Sequence, residues 1–206
     1  MDIRVCDPDS ARFTLEIDNP FFPLAPGTQI VLEGEGGSGS ELVRISVLDE
    51  VETVAGVETR VVEEYEAIDG RVVEISRNYF AQTADGTVCY FGEDVDIYDS
   101  EGNVSSHSGA WRADGRTNIP GIFMPADLEI DQAFQQEIAP GVAEDQAKVV
   151  ALGDVTEVPA GTYEDTATLL DRNPLDDSQD EKVYASGIGL IVDGPTRMTA
   201  FMPGSG

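Results

Sequence analysis

The sequence predicts an all-β fold in which antiparallel strands form a meander that closes into a barrel or a curled half-barrel. Three observations support this prediction. Extended runs recur with a glycine turn at their ends, apolar and polar residues alternate within the runs, and the helical spacing of apolar residues is nearly absent. Because successive side chains of a strand point to opposite faces, this alternation is typical of strands that face a core on one side and solvent or a cavity on the other.

Four successive strands are predicted in the first half of the chain. Glycine-containing turns at 55–56, 69–70, 85–86 and 101–103 separate runs that cover residues 40–54, 57–68, 71–83 and 87–100. Asp-Gly pairs, as at Asp69-Gly70 and Asp85-Gly86, tolerate the positive φ that tight hairpin turns require. The four runs therefore pair with their sequence neighbours as antiparallel strands.

The second half of the chain is predicted to contain two more strand pairs. A hairpin signal at 158–162 (VPAGT) lies between strands at 148–158 and 163–172, and Gly187 separates strands at 181–185 and 188–192. Residues 143–152 (AEDQAKVVAL) have the one pattern that is compatible with a helix, but Val149-Val150 and the hairpin that follows favour a strand. The total is about nine or ten strands.

The rest of the chain is expected to be irregular and to belong to the same domain. Segments rich in glycine, proline and aspartate predict loops, of which 34–39 is typical of a flexible hairpin tip; the loops cover 18–27, 33–39, 113–126 and 173–180. The length favours a single domain over residues 1–206, with an N-terminal extension at 1–16 and a C-terminal tail at 194–206.

A closed or nearly closed sheet is favoured over a flat one. Strands joined mainly by tight turns would expose long edges if the sheet stayed flat, and closure removes those edges. A barrel of this size has an interior that holds one small ligand. A two-sheet β-sandwich is the competing prediction, because periodicity does not distinguish it from a barrel.

The charge of the chain argues against two classes of partner. Forty acidic residues against twelve basic ones give a formal net charge of −28, which repels nucleic acid and anionic membranes.

The first twenty residues lack the basic start and apolar run of a secretory signal, which indicates a cytoplasmic protein or an exported chain whose signal has been removed. Oligomeric state stays open. The densest cluster of oxygen ligands offers calcium binding as a minor alternative; it comprises Asp94, Asp96, Asp99, Glu101 and Asn103.

The two cysteines do not form a recognisable motif. Cys6 and Cys89 lie in no CxxC or zinc-like spacing, and two cysteines do not make a disulfide framework in a chain of this length. The pattern favours free thiols, although the two residues could pair. A lone His107 lies in a loop-like context that predicts exposure, and a histidine metal cluster is excluded by count.

A ring-rich segment at 77–126 predicts the wall of a small-molecule pocket. It holds the only histidine, the only tryptophan and seven of the fifteen aromatic rings of the chain. Aromatic walls with few polar groups are typical of ligand pockets. The residues expected to contact a substrate are Phe80, Cys89, Phe91, Trp111, Phe123, Met124 and Phe134.

Five side chains are candidates for catalysis. Alternation over 133–149 places Gln135 and Glu137 on one strand face, opposite Phe134, Gln136 and Ile138. A carboxyl group near apolar walls has a raised pKa that suits acid–base work near neutral pH, and a phenol can donate a hydrogen bond to an oxyanion. The candidates are Glu137, Glu144, Asp145, Tyr79 and Tyr90. No nucleophile elbow, phosphate loop or dinucleotide fingerprint is present, so no cofactor and no metal are expected.

Ordered motifs over residues 17–193 resemble a family of uncharacterised bacterial proteins. The motifs are 18–24 (DNPFFPL), 26–28 (PGT), 79–82 (YFAQ), 86–94 (GTVCYFGED), 109–111 (GAW), 120–126 (PGIFMPA), 136–145 (QEIAPGVAED), 182–185 (KVYA) and 187–190 (GIGL). The resemblance implies homology to proteins that usually look exported or lipoprotein-like and have no general activity. This chain departs from the pattern at Cys89, where tryptophan is usual, and at Asn78, where aspartate is common. A smaller side chain at 89 implies an enlarged cavity if it faces inward.

Two functional hypotheses follow from these observations. The first is a barrel that binds a small, largely apolar substrate and acts as a cofactor-independent isomerase, lyase or cyclase through shape and acid–base catalysis. The second is a non-catalytic extracytoplasmic protein that binds a ligand or calcium. The ring-rich segment and the absence of cofactor motifs favour the enzyme.

Overall fold

The protein is all-β, as the sequence predicts: strands make up 62% of the structure. A computed structural model describes residues 1–204 and contains, within that range, no α-helix and one short 3₁₀-helix at Ile3–Cys6. The sixteen strands are β1 (Phe13–Thr14), β2 (Gln29–Gly36), β3 (Gly39–Val54), β4 (Val57–Ile68), β5 (Arg71–Thr83), β6 (Val88–Tyr98), β7 (Val104–Ser106), β8 (Trp111–Arg112), β9 (Ile119–Met124), β10 (Ala133–Gln135), β11 (Glu137–Ile138), β12 (Gln146–Val158), β13 (Gly161–Asn173), β14 (Ser178–Ala185), β15 (Gly189–Asp193) and β16 (Thr196–Met202).

The sheet curls into a nearly closed barrel, which confirms the preferred architecture over the sandwich. Thirteen strands follow one another as antiparallel neighbours. Their order is β10-β12-β13-β14-β15-β16-β2-β3-β4-β5-β6-β9-β11. The two end strands, β10 and β11, are separated in the chain by Gln136 alone. The ends of the sheet therefore meet where the chain passes from one edge strand to the other.

The four predicted central strands are confirmed almost residue for residue. Val54 pairs with Val57 and Ile68 with Arg71, so both hairpins have two-residue turns. Both residues of the Asp69-Gly70 turn have positive φ, at 50° and 75°. This is the backbone twist that matches antiparallel strands. Local turn chemistry was therefore sufficient to define this part of the sheet.

Several strands enter segments where the sequence predicts loops or a tail. β2 extends through residues 33–36, β9 occupies 119–124 within a predicted loop, and β16 occupies 196–202 within the predicted tail. Residues 205–206 of that tail lie outside the described part of the chain. Met198 of β16 pairs with Leu32 of β2, and both are fully buried. Pairing between distant segments, which local alternation does not reveal, accounts for these strands.

The strand alternation predicted around Glu137 is wrong. Phe134, Gln136 and Glu137 are all buried, although alternation would place Glu137 on the face opposite the other two. The alternation is interrupted at Gln136, because β10 pairs with β12 whereas β11 pairs with β9. The backbone N–H groups of Gln136 and Glu137 both donate to the Asp145 carbonyl, at 2.8 and 3.1 Å. A Cβ on Gly121 would collide with the Gln136 backbone, so this glycine allows β9 to approach the closure point.

The N-terminal segment is attached to the outer side of the barrel. Phe13 and Thr14 of β1 pair with Thr83 and Gln82 of β5. Cys6 and Cys89 form a disulfide, so the prediction of free thiols is wrong. Sequence spacing did not reveal the pair, because the barrel brings together residues that are 83 positions apart.

Candidate functional site

A cavity of about 360 Å³ lies inside the barrel. Part of its wall is aromatic and part is carboxylic. The aromatic wall consists of Phe22, Phe80, Tyr90, Phe123 and Tyr184. The charged lining consists of Glu64, Glu74, Glu93, Glu137, Asp145, Asp171, Asp193 and a single cation, Lys182. The prediction of a ring-lined pocket therefore describes only part of the lining, and the rest is strongly acidic.

Strand alternation explains why the acidic wall exists. Positions 74, 76, 78 and 80 of β5 all face the cavity, as do positions 62 and 64 of β4. Inter-strand register places Glu64 opposite Ser76 and Asn78 opposite Glu93. Alternate residues of a strand share a face, so glutamates at these positions point into the barrel instead of toward solvent.

The aromatic wall is a packed cluster of rings. Phe80 stacks on Tyr90 with centroids 4.8 Å apart and an interplanar angle of 17°. Phe123 contacts Phe22 and Phe80 at 4.4 and 4.9 Å. The Tyr90 hydroxyl donates a hydrogen bond to the Asn78 side-chain oxygen, and burial raises the pKa of this phenol well above its usual range. The phenol therefore stays protonated at neutral pH and is a hydrogen-bond donor already engaged by Asn78.

Glu93 and Glu137 line the same cavity, and among the neighbouring charges theirs act most strongly on Tyr90. Burial, followed by the negative charge of Glu137, raises the pKa of Glu93 to about 9. Burial and the charge of Asp145 raise the pKa of Glu137 to about 7, against a hydrogen bond from Trp111 Nε1 at 3.3 Å that lowers it. At neutral pH Glu93 is mostly protonated and Glu137 is near its midpoint. Such a pair supplies both a proton donor and a proton acceptor.

A second group of acids lies on β4 and β5. Glu64 faces the cavity from deep inside the barrel, and burial raises its pKa, with the charge of Glu66 adding to the effect. Burial likewise raises the pKa of Glu74 to about 7. Within residues 1–204 neither Glu64 nor Glu74 forms an ion pair with a basic side chain. Burial is the main cause at both positions, and the charge of Lys182 offsets only part of it at Glu64.

Lys182 is held by acids on both neighbouring strands. Its ammonium lies 3.6 Å from an Asp171 oxygen on β13 and 3.7 Å from an Asp193 oxygen on β15. The charge of Asp193 and that of Asp171 raise the pKa of Lys182 against the effect of burial, so it stays charged. A charged amine cannot act as a nucleophile. Lys182 therefore balances the charge of the cavity wall.

Five of the predicted site residues lie together at the cavity: Glu137, Asp145, Tyr90, Phe80 and Phe123. Burial raises the pKa of Asp145 as well. Glu144 lies outside the lining, and its carboxylate accepts a hydrogen bond from the Gly141 backbone at 2.7 Å, which is a turn-stabilising role. Trp111 is buried directly behind the lining, where it contacts Tyr90 at 5.5 Å and Glu137.

Tyr79 points away from the cavity. Its hydroxyl donates to Asp94 at 2.8 Å and accepts from Arg112 at 2.9 Å. Burial, with the hydrogen bond to Asp94, raises its pKa to about 12. Arg112 also bonds Glu52 at 2.9 Å and stacks over the Tyr79 ring. Tyr79 therefore belongs to a charged network on the outer face of the sheet, and alternation gives the inward position to its neighbour Phe80.

The remaining predicted contact residues are buried but do not line the cavity. Cys89 and Phe91 flank the inward-facing Tyr90, so both take the opposite strand face; Cys89 bonds Cys6, and Phe91 packs against Phe13 at 5.3 Å. The expectation of a cavity enlarged by Cys89 is therefore wrong. Met124 and Phe134 are also buried in the core outside the lining.

Most of the charged lining was missed from the sequence, namely Glu64, Glu74, Asp171, Lys182 and Asp193. Charged residues on strands are usually solvated, and nothing local distinguishes an inward glutamate from an outward one. One weak signal was present. Lys182 is one of only two lysines in a chain of forty acidic residues. Scarcity alone did not locate it, because the other lysine, Lys148, forms an exposed ion pair with Asp131.

The proposed calcium cluster is not assembled. Asp94 pairs with Arg112 at 2.6 Å and Asp96 with His107 at 2.9 Å, while Asp99 accepts backbone hydrogen bonds from Glu101 and Asn103. Throughout residues 1–204, no three acidic, histidine or cysteine side chains converge as a metal site requires. His107 is exposed, as predicted, and its Nδ1 lies 2.7 Å from the Val95 carbonyl.

A second concavity, of about 460 Å³, lies between the N-terminal segment and residues 114–120. It is larger than the barrel cavity, but the acidic and basic side chains that line it, such as Arg4, Asp9 and Arg116, are exposed or half-exposed. Because seven carboxyl groups converge in the barrel and several of them have raised pKa values, the barrel cavity is the stronger candidate for a site.

Comparison of the chain with protein families, with curated proteins and with solved structures finds no match. No helix in the described residues has the length and apolar character that are needed to cross a membrane.

Proposed function

We propose that the protein binds a small molecule inside the barrel and performs acid–base chemistry on it without a cofactor. The observation that carries the proposal is the convergence of Glu93 and Glu137 on one cavity that stacked rings also line. Enclosed cavities with a few convergent titratable groups are where proteins carry out proton transfer.

The chemistry that fits this arrangement is a proton relocation. One carboxyl group donates a proton to a bound substrate while a second carboxylate removes one, which is the division of labour in isomerases, lyases and some cyclases. The pKa of Glu93 is about 9, which suits the group that donates a proton. The pKa of Glu137 is about 7, which suits the carboxylate that removes one. The packed rings of Phe22, Phe80 and Phe123 would hold the apolar part of the substrate in a reactive conformation.

The mixed lining modifies the expected substrate. A largely apolar molecule would leave the acidic wall without partners, so we infer a substrate with an apolar part and a polar part. Groups that donate hydrogen bonds suit the polar part, because the wall consists mainly of carboxyl oxygens.

The binding step is tested with compounds that co-purify with the protein. Denatured wild-type protein is extracted and its small molecules are identified by mass spectrometry, in parallel with Ser76→Phe, which places a ring in the cavity. Ser105→Phe, at an exposed position, is the control. We expect a compound that is present in the wild type and the control but depleted in Ser76→Phe. Equal recovery from all three would reject binding in the barrel.

The catalytic step is tested by isotope incorporation. The recovered compound is incubated with protein in deuterium oxide, and acid–base chemistry predicts deuterium at a carbon-bound position. Glu137→Gln should slow this exchange at least tenfold. Exchange at the wild-type rate in both Glu137→Gln and Glu93→Gln would reject catalysis by these groups and leave a binding protein.

A second candidate function is that of an exported, non-catalytic ligand-binding protein. The Cys6–Cys89 disulfide favours it, because structural disulfides persist in oxidising compartments. This interpretation agrees with the exported character of the proteins that the sequence motifs resemble. Fractionation of the native producing cells tests it: recovery of the protein only in the cytoplasm, with both thiols reduced, would reject export.

A further inference from the structure

We propose that the ligand of the barrel is a small organic ammonium ion with an aromatic or similarly flat apolar body. The ammonium group would lie against Glu64, Glu74 and Glu93, and the apolar body against the rings of Phe80 and Phe123. This inference rests on the proposed function, because it takes the barrel cavity as the binding site.

Within the described residues, the single cation that lines the cavity, Lys182, forms its ion pairs with Asp171 and Asp193 and not with the glutamates. Glu64, Glu74 and Glu93 project from three consecutive strands, β4, β5 and β6, into one cavity. Within residues 1–204 none of the three forms an ion pair, and Glu64 accepts no hydrogen bond from a basic or amide group. Glu64 therefore faces the cavity without an ion pair, and two buried oxygens on other lining residues, Asp145 Oδ1 and Asp171 Oδ1, accept no hydrogen bond. Buried carboxyl groups are normally paired.

The cation that lies nearest to this wall is already committed. Lys182 is held between Asp171 and Asp193, at 3.6 and 3.7 Å, and Asp145 and Glu137 add further acidic groups beside it. The lining therefore contains one positive charge against seven carboxyl groups. A cationic ligand would compensate this excess, whereas an anionic ligand would add to it.

The cavity wall favours an organic cation over a metal ion. Within residues 1–204 no three carboxyl groups converge with the geometry that a metal requires. An ammonium group instead donates separate hydrogen bonds to separate carboxylates, and its apolar body removes further ring surface from water. Stacked rings within the same cavity also attract a cation through their π faces.

Ligand binding on this wall should release protons. Burial raises the pKa of Glu64 and of Glu93, and the charges of Glu66 and Glu137 respectively add to the effect, whereas Lys182 opposes it at Glu64. These carboxyl groups therefore hold protons when no ligand is bound. A bound ammonium replaces those protons, because it stabilises the carboxylate form. Proton release is a signature that a neutral ligand would not produce.

Isothermal titration calorimetry with three matched probes tests the inference. The probes are 2-phenylethylamine, 2-phenylethanol and phenylacetate, which share a ring and differ in charge. At pH 7.5 we expect the amine to bind at least tenfold more tightly than the alcohol, and phenylacetate to show no binding. Titration of the amine in phosphate and in Tris should give different heats, because the released protons are taken up by the buffer.

Two variants locate the contact. Glu64→Gln should weaken amine binding at least tenfold and leave the alcohol unchanged, whereas Glu63→Gln, the neighbouring residue on the outer strand face, should change neither. Glu93→Gln provides an independent second test if Glu64→Gln does not fold.

The outcomes distinguish this inference from the proposed function. Equal binding of the amine and the alcohol, or unchanged amine binding in both Glu64→Gln and Glu93→Gln, would overturn the ammonium assignment and leave the barrel as a binding site. Absence of binding by all three probes would also overturn the assignment. The proposed function would fail separately, through equal recovery of co-purified compounds from wild type and Ser76→Phe.

Discussion

The indole Nε1 of Trp111 donates a hydrogen bond to Oε1 of Glu137 across 3.3 Å. This contact joins the aromatic and acidic parts of the site, because Trp111 also meets the Tyr90 ring edge-on at 5.5 Å. The bond stabilises the carboxylate form of Glu137 and so opposes the effect of burial on its pKa, which is about 7. Trp111 thereby keeps the pKa of Glu137 near neutral pH, where the carboxyl group can both accept and donate a proton.

Replacement of this indole should shift the titration of Glu137. Trp111→Phe removes the donor and keeps an apolar ring, so we expect the pKa of Glu137 to rise further above 7. Carboxyl ¹³C NMR with labelled glutamate measures it, and Glu137→Gln assigns the signal. A pKa that stays the same or falls would show that the hydrogen bond does not control this group.

The two lysines provide a matched test of buried and exposed ion pairs. Lys182 lies between Asp171 and Asp193 inside the barrel, whereas Lys148 forms an exposed pair with Asp131 at 2.6 Å. Lys182→Met should reduce the free energy of unfolding by about 3–5 kcal/mol, because it leaves buried charges without a partner. Lys148→Met should change it by about 0–1 kcal/mol. Urea denaturation at pH 7.5 measures both.

A double variant distinguishes lost ion pairing from lost packing. Asp193→Asn removes one of the charges that Lys182 balances, so Lys182→Met combined with Asp193→Asn should be more stable than Lys182→Met alone. If the double variant is the less stable of the two, charge balance is not the reason for the loss.

Stability should fall as pH rises across the neutral range. The pKa of Glu93 is about 9 in the folded protein and 4.5 is its reference value. Between these values the folded state binds a proton that the unfolded state has lost, so the contribution is fully present below pH 4.5 and disappears as pH rises through about 9. Each unit of pKa difference corresponds to about 1.4 kcal/mol.

Glu93→Gln should flatten this pH dependence. The amide cannot ionise, so at pH 9 we expect the variant to be more stable than the wild type by about 2 kcal/mol or more, with little difference at pH 5. Chemical denaturation at both pH values measures this, and Glu58→Gln, at an exposed position, is the control. Parallel pH profiles for the wild type and Glu93→Gln would contradict the assignment of a proton to Glu93.

The disulfide should make a large contribution to stability. Cys6 and Cys89 are separated by 83 residues, and closure of a long loop restricts the unfolded chain. Cys6→Ala combined with Cys89→Ala should reduce the free energy of unfolding by about 3–5 kcal/mol. Reductant should lower the melting temperature of the wild type but not that of the double variant. A titration that detects two thiols in denatured, unreduced protein would contradict the bond.

The sequence allowed five of the thirteen aromatic and charged residues of the lining to be predicted. Glu137, Asp145, Tyr90, Phe80 and Phe123 were recognised because rings and acids in a short segment are conspicuous. Glu64 and Glu74 were not, since alternating glutamates look the same whether they face water or a cavity. The direction in which a strand face points depends on which strands surround it, and local sequence does not contain that information.

The sequence by itself determined the strand class and the central hairpins. Two-residue turns such as Asp69-Gly70 set the register of their own strands within a few residues, so alternation and turn chemistry were sufficient there. Tertiary structure alone decided the closure at Gln136, the pairing of Met198 with Leu32, the Cys6–Cys89 bond and the inward direction of the glutamates. Each of these depends on contacts between residues far apart in the chain, which become favourable only when the whole sheet curls around a shared interior.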